Sequence, residues 1–198
     1  MGLNEDGERV RILSREVLSE GWSTLTRYRI ALRRRDGGWQ ETVREAYGHG
    51  DGVGVLPYDP ERGTVLLARQ FRLPAHLNGG EGMLVEVAAG LLEGAEPEAR
   101  IRAEAEEELG LRLRDLTHVF DAFMSPGSVT ERLHLYVARY EPGDRTAAGG
   151  GVEAEAEDIE VIEMTLAEAM AQVRDGGIRD AKTIMLLQHV ALSGAVPA

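Results

Sequence analysis

The sequence contains no cysteine. Disulfides, thiolate metal sites and cysteine nucleophiles are therefore excluded, and a reducing compartment is the natural setting. No stretch approaches the roughly 18 uninterrupted apolar residues of a membrane span, and the start, MGLNEDGERV, has no apolar run with a cleavage site. These lacks predict a soluble, unprocessed, cytoplasmic protein with no membrane partner. Cationic side chains are also scarce, 22 against 34 acidic ones, for a formal net charge of −12. Such a chain has no general grip on nucleic acid, so none is expected as a partner, and any bound phosphate needs a metal or local arginines. The histidines, His49, His76, His118, His134 and His189, show no ligand spacing and no HExxH, so zinc chemistry has no support and they are read as structural. Neither a GxSxG elbow nor a Walker lysine loop is present.

The chain has 198 residues, 43% of them hydrophobic and 28% charged, which fits one globular domain or a domain with a substantial arm. Alternating runs around Trp22 to Leu32 and a DGG turn at Asp36 to Gly38 predict two or three N-terminal strands. A hinge is expected at Gly48 to Gly54. A hairpin follows, Gly54 to Tyr58 with Thr64 to Phe71, and then one strand over Met83 to Ala89 interrupted by Glu86. Further strands are predicted near Leu116 to Met124, Leu133 to Tyr140 and Ile159 to Met164, with helices at Leu166 to Arg174 and Asp180 to Leu192. Mostly antiparallel strands with a few separate helices make the fold class α+β.

The most informative stretch is Ala88 to Leu111, AAGLLEGAEPEARIRAEAEEELGL. Pro97 suits a first helical turn and Gly110 a C-terminal cap, which predicts a helix over about 97–109. Glu104, Glu106, Glu107 and Glu108 crowd its last turns. Carboxylates there oppose the helix dipole and one another, so the cluster asks for a cation. Helical spacing aligns Ile101, Ala105 and Leu109 as a packing stripe and Arg100, Glu104 and Glu108 as the next. Glu98, Arg102 and Glu106 form a third stripe, read as a solvated face. Magnesium takes several oxygen ligands and is commonly held by one or two carboxylates with substrate phosphates, a need that Glu104 and Glu108 meet.

On these residues the chain resembles the Nudix hydrolases. Gly90, Glu96, Glu104, Glu107, Glu108 and Gly110 match the family's box, with the spacer after Glu96 one residue short and Ala103 where the family has arginine. A similarly shortened spacer marks the GDP-mannose pyrophosphatase subgroup, which the chain also resembles at ARQFR (68–72), MSPGSVTE (124–131), AGGGVE (148–153), DIEV (158–161) and IRDAKT (178–183). The resemblance implies a Nudix-type α/β/α sandwich with a mixed sheet over residues 49–198, and an antiparallel β region over 1–48 exchanged within a homodimer.

The same resemblance implies metal ligands at the Ala89 carbonyl, Glu104 and Glu108, with a further ligand or base at Glu157 and with Glu153 and Glu155 as rivals. It implies substrate contacts at Trp22, Arg44, Glu45, Arg72, Ala89, Gly90, Leu91, Glu131 and Lys182. Blander readings stand beside these: Trp22 packs, Arg44 and Glu45 form a surface pair, and Lys182 sits on an exposed helix. The implied cofactor is Mg²⁺, with Mn²⁺ as a substitute. The implied reaction is hydrolysis of a nucleoside diphosphate sugar, GDP-mannose to GMP and mannose 1-phosphate. The alternatives are an ADP-ribose pyrophosphatase and a non-catalytic Nudix-fold nucleotide-binding module. Because alanine replaces the box arginine, Glu107 is expected either to be positioned by Arg100 or another arginine, or to be a weaker secondary ligand. Gly149 to Gly151 are expected to hinge the loop that carries Glu157.

Overall fold

The computed structural model describes residues 9–152 and 157–196, so Glu153 and Glu155 lie outside the described residues. The chain divides into two units, Met1–Gly50 with Ser125–Glu131, and Asp51–Met124 with Arg132–Ala198.

The first unit is built on β1 (Val10–Glu20), β2 (Thr24–Arg33) and β3 (Trp39–Gly48), an antiparallel sheet in the order β1-β2-β3. The DGG turn closes β2 onto β3, with Gly37 at φ 86° and the Arg34 amide donating to the Gly38 carbonyl at 2.7 Å. The segment 125–131 joins this unit through main-chain bonds: Tyr47 N donates to Ser128 O and Thr130 N to Tyr47 O, at 2.8 and 3.0 Å.

The second unit contains β4 (Gly52–Asp59), β5 (Thr64–Phe71), α1 (Leu73–Leu77), β6 (Met83–Glu86), β7 (Ala88–Leu91), α2 (Pro97–Leu109), β8 (Leu116–Phe123), β9 (Arg132–Arg139), β10 (Glu160–Thr165), α3 (Leu166–Asp175) and α4 (Ala181–Ser193). Its seven-stranded sheet runs β10-β5-β4-β9-β8, with β6 beside β5 and β7 beside β4. The β4–β9 pair is parallel and the others are antiparallel, so the sheet is mixed.

Strand alternation sorts the buried side chains onto two faces. Val53, Val55, Leu66, Ala68, Tyr136 and Ala138 pack with Ile101, Ala105 and Leu109 of α2. Leu67, Leu133, Leu135 and Val137 pack with Leu166 and Ala169 of α3 and Leu186, Leu187 and Val190 of α4. One helix on one face and two on the other make the expected sandwich.

Three local expectations differ from the structure. The strand anticipated over Met83 to Ala89 is two strands: at Val87 the chain leaves β5 and joins β4. The Val87 amide, released from the ladder, donates to the buried Thr183 hydroxyl at 2.8 Å. The β4–β5 hairpin is paired only at Tyr58–Val65 and Asp59–Thr64 before the strands diverge to take β7 and β6 between them. The five-residue α1 was not anticipated, being too short to show helical periodicity.

Candidate active site

Helix α2 spans Pro97–Leu109 and ends at Gly110, whose φ of 63° is left-handed and whose amide bonds the Glu106 carbonyl at 3.1 Å. Gly150 and Gly151 complete this end, donating to the carbonyls of Glu108 and Glu107 at 2.9 and 3.1 Å. The glycine run expected to be a hinge is thus bonded to the helix terminus, where its amides satisfy carbonyls that a helix leaves open.

The packing stripe Ile101, Ala105 and Leu109 is fully buried. The neighbouring stripe is buried as well: Glu104 is 5% exposed and Glu108 2%. Both lie against β7. Glu108 Oε2 accepts from the Ala89 amide at 3.2 Å. A Cβ at Gly90 would stand 1.6 Å from Glu104 Oε1, so only glycine lets this carboxylate lie on the strand. Burial first, then the charge of Glu104, push the Glu108 carboxyl up to about 8; Glu157 adds to the rise, while the Ala89 amide and Arg72 oppose it. Arg100 forms an i,i+4 ion pair with Glu104.

Two adjacent buried carboxylates, beside main chain and with one proton affinity raised by the other, are a site that a cation would relieve. All the donors are hard oxygens, which suit Mg²⁺ or Mn²⁺. Glu104 and Glu108 therefore fit a divalent cation. Glu157 is half-buried and its Oε2 accepts from the Val152 amide at 2.9 Å.

Cationic side chains gather around Glu86, which is 1% exposed on β6. Arg72 Nε and Nη2 donate to its two oxygens at 3.0 Å each, and Lys182 Nζ donates to Oε2 at 2.7 Å. Lys182 also pairs with Asp180 at 3.0 Å. Burial alone would raise the Glu86 carboxyl, but the Lys182 charge and the Arg72 bonds hold it below its ordinary value of 4.5. Burial would likewise discharge Lys182, and Glu86 and Asp180 more than offset that. Lys182 is therefore no exposed surface lysine. Sequence reasoning missed Glu86 as a functional residue, although a lone carboxylate inside an apolar strand is itself a signal, because a buried charge needs a partner.

Glu107 corrects an expectation. It is exposed, and among the described residues it pairs with no arginine; Arg100 has turned to Glu104 instead. Positioning of Glu107 by an arginine is therefore not what the structure shows. On the third stripe, Glu106 is exposed and pairs with Arg112 at 3.4 Å, while Arg102 donates to the Leu113 carbonyl at 2.6 Å.

The remaining candidates lie in the first unit. Trp22, 76% exposed, stacks on His49 at 4.9 Å between centroids, and His49 Nε2 lies 3.9 Å from Glu131 Oε1, so the fold brings Trp22 and Glu131 to one imidazole. Arg44 and Glu45 do not pair, since successive strand residues point to opposite faces. Glu45 binds Arg27 at 3.0 Å, and Arg44 donates to Thr42 Oγ1 at 2.7 Å. A cleft of about 500 Å³ in the second unit is lined by Arg69, Met83, Val85, Ile162, Gln172 and Arg179 among others; Glu104 and Glu108 are not among its lining residues.

Residues 48–187 match the NUDIX domain family, and residues 9–47 match the GDP-mannose pyrophosphatase NudK N-terminal domain. The chain belongs to the Nudix family. Among curated relatives, the GDP-mannose pyrophosphatase of Pectobacterium atrosepticum is 48% identical over 186 residues, covering 93% of this chain and 95% of the relative. That of Cronobacter sakazakii is 46% identical over 93% of this chain and 96% of its own. A crystal structure of an ADP compounds hydrolase superposes with a TM-score of 0.71 at 18% identity, covering 96% of this chain and 98% of that one, a likeness of fold.

Proposed function

We propose that the protein is a divalent-metal-dependent pyrophosphatase that cleaves GDP-mannose to GMP and mannose 1-phosphate. The observation that carries this reading is the match, along nearly the whole chain and through both domains, to relatives named for that activity. The buried Glu104 and Glu108 pair supplies the chemistry it requires.

Glu104, Glu108 and the Ala89 carbonyl would hold the cation, Mg²⁺ or Mn²⁺. When bound, it neutralises pyrophosphate charge and makes water a better nucleophile. Arg72 and Lys182, kept charged and oriented by Glu86, bind the substrate's phosphates or the groups beside them. Gly90 and Leu91 present main chain to the substrate. Glu157 takes the proton from the attacking water. Glu104 is turned toward β7 by the bare backbone of Gly90, so ligand placement is set by the fold before substrate arrives.

Trp22, Arg44 and Glu45 contact the substrate from the N-terminal domain, reaching the site of a second copy in a homodimer, and Glu131 contacts it from the Nudix domain. The broad exposure of Trp22, in the turn between β1 and β2, and of Val17 and Val43 on the sheet itself supports a partnered surface. The absence of cysteine and the bacterial origin of the relatives support a cytoplasmic setting.

The test is a substrate panel. With Mg²⁺ present, GDP-mannose, ADP-ribose and other nucleotide sugars are incubated separately and the products resolved by chromatography. GDP-mannose is expected to turn over fastest, yielding GMP; faster hydrolysis of ADP-ribose would replace the proposed substrate, and no hydrolysis at all would favour a binding module.

A further inference from the structure

His118, Asp121 and His134 stand sixteen positions apart from first to last in the sequence, yet their ligand atoms lie within 4.8 Å of one another. The geometry points to a second metal centre here, a surface site for one transition-metal dication of the zinc class, separate from the Glu104 and Glu108 carboxylates.

The backbone explains the convergence. In a regular strand, residues three apart point to opposite faces. Strand β8 carries a bulge between His118 and Phe120, so the extra residue, Val119, turns His118 to the face occupied by Asp121. Asp121 is directly opposite His134 in the register with β9. His118 Nε2 and His134 Nδ1 each hydrogen-bond the same oxygen, Asp121 Oδ1, at 2.8 Å, so the three groups are held together before any metal arrives. Tyr136 flanks the His118 ring edge-on at 5.2 Å, which limits its rotation.

Two imidazoles and a carboxylate are a donor set that suits zinc, cobalt or nickel better than magnesium, which prefers oxygen alone. Three protein ligands at a half-exposed position leave a coordination place for water. The nearest competing cation is Arg132, whose Nη1 is 3.8 Å from Asp121 Oδ2 and whose Nη2 is drawn away to Asp51 at 3.2 Å. Oδ1, on which both rings converge, is not paired with Arg132, and a metal there would take the place of the ring protons that now bridge to it.

The centre cannot share an ion with the carboxylate site. His134 is in register with Val53, and Val53 with Gly90, so two strand spacings, about 10 Å of backbone, intervene. Metal–ligand bonds are about 2 Å long. A bound ion would instead tie β8, the edge strand of the sheet, to β9.

The test uses the full-length, tag-free protein in excess Mg²⁺, titrated with Zn²⁺ by calorimetry and with Co²⁺ by visible absorption. One equivalent is expected to bind the wild type and the Glu104→Gln/Glu108→Gln variant alike. His118→Gln and His134→Gln should each weaken binding at least tenfold and abolish the cobalt band. Absence of Zn²⁺ binding, binding that survives in the His118→Gln/His134→Gln double variant, or binding lost in the carboxylate variant would each overturn the proposal. Circular dichroism of the histidine variants guards against misfolding as the cause of a loss.

Discussion

Arg72 grips Glu86 with two parallel hydrogen bonds, one to each carboxylate oxygen, both 3.0 Å long. Because Lys182 binds the same carboxylate, one buried anion fixes two cations of an otherwise acidic protein. Glu86 is a positioning residue on this account, acting on substrate through its partners.

Glu86→Gln keeps the shape and removes the charge. Breaking a buried ion pair costs about 3–5 kcal/mol, so unfolding in denaturant at neutral pH should show a loss of that order. Activity should fall mainly through a KM for the nucleotide sugar raised about tenfold, the equivalent of ~1.4 kcal/mol of lost binding.

The same residue sets an acid limit. A carboxyl whose folded pKa lies below its unfolded value of 4.5 contributes stability above that value and loses it as pH falls through the folded pKa. Wild-type thermal stability should therefore drop below about pH 4.5 more steeply than that of Glu86→Gln, as melting curves across acid pH will show.

Glu108 titrates the other way. With its carboxyl pushed up to about 8 in the metal-free protein, its contribution favours the fold below 4.5 and is lost as pH rises through about 8. In EDTA at alkaline pH, Glu108→Gln should melt several degrees above the wild type, while Mg²⁺ should raise the melting temperature of the wild type only. The exchange of stability for function at a ligand site is expected.

Gly90→Ala places a methyl group where Glu104 now lies, 1.6 Å from its Oε1. Glu104 must swing out of the site. The variant should keep its far-ultraviolet circular dichroism and lose activity by about a hundredfold, the usual consequence of misplacing a reacting group by an ångström.

Much of this was legible in the sequence where the signal is local. Pro97 and Gly110 marked both ends of α2, and helical spacing alone separated the stripe of Ile101 from that of Glu104 and Glu108. What lay hidden depends on partners distant in sequence. The break at Val87 follows from a change of strand neighbour and from Thr183, 96 residues away. The cations of Glu86 come from another strand end and another helix. Arg100 does not position Glu107 because its helical neighbour four residues on is Glu104, which it bonds, while Glu107 lies about two turns away. A bulge, invisible to a strict two-residue period, joins His118 to Asp121.

The central claim is that Glu104 and Glu108 hold the cation on which pyrophosphate cleavage depends. It is tested most directly by GDP-mannose hydrolysis in wild type, Glu104→Gln and Glu108→Gln, each with Mg²⁺ and with EDTA. The account predicts wild-type turnover only with Mg²⁺, and a loss of about a hundredfold or more in each variant. Turnover that persists in EDTA, or that either substitution leaves unchanged, would contradict it.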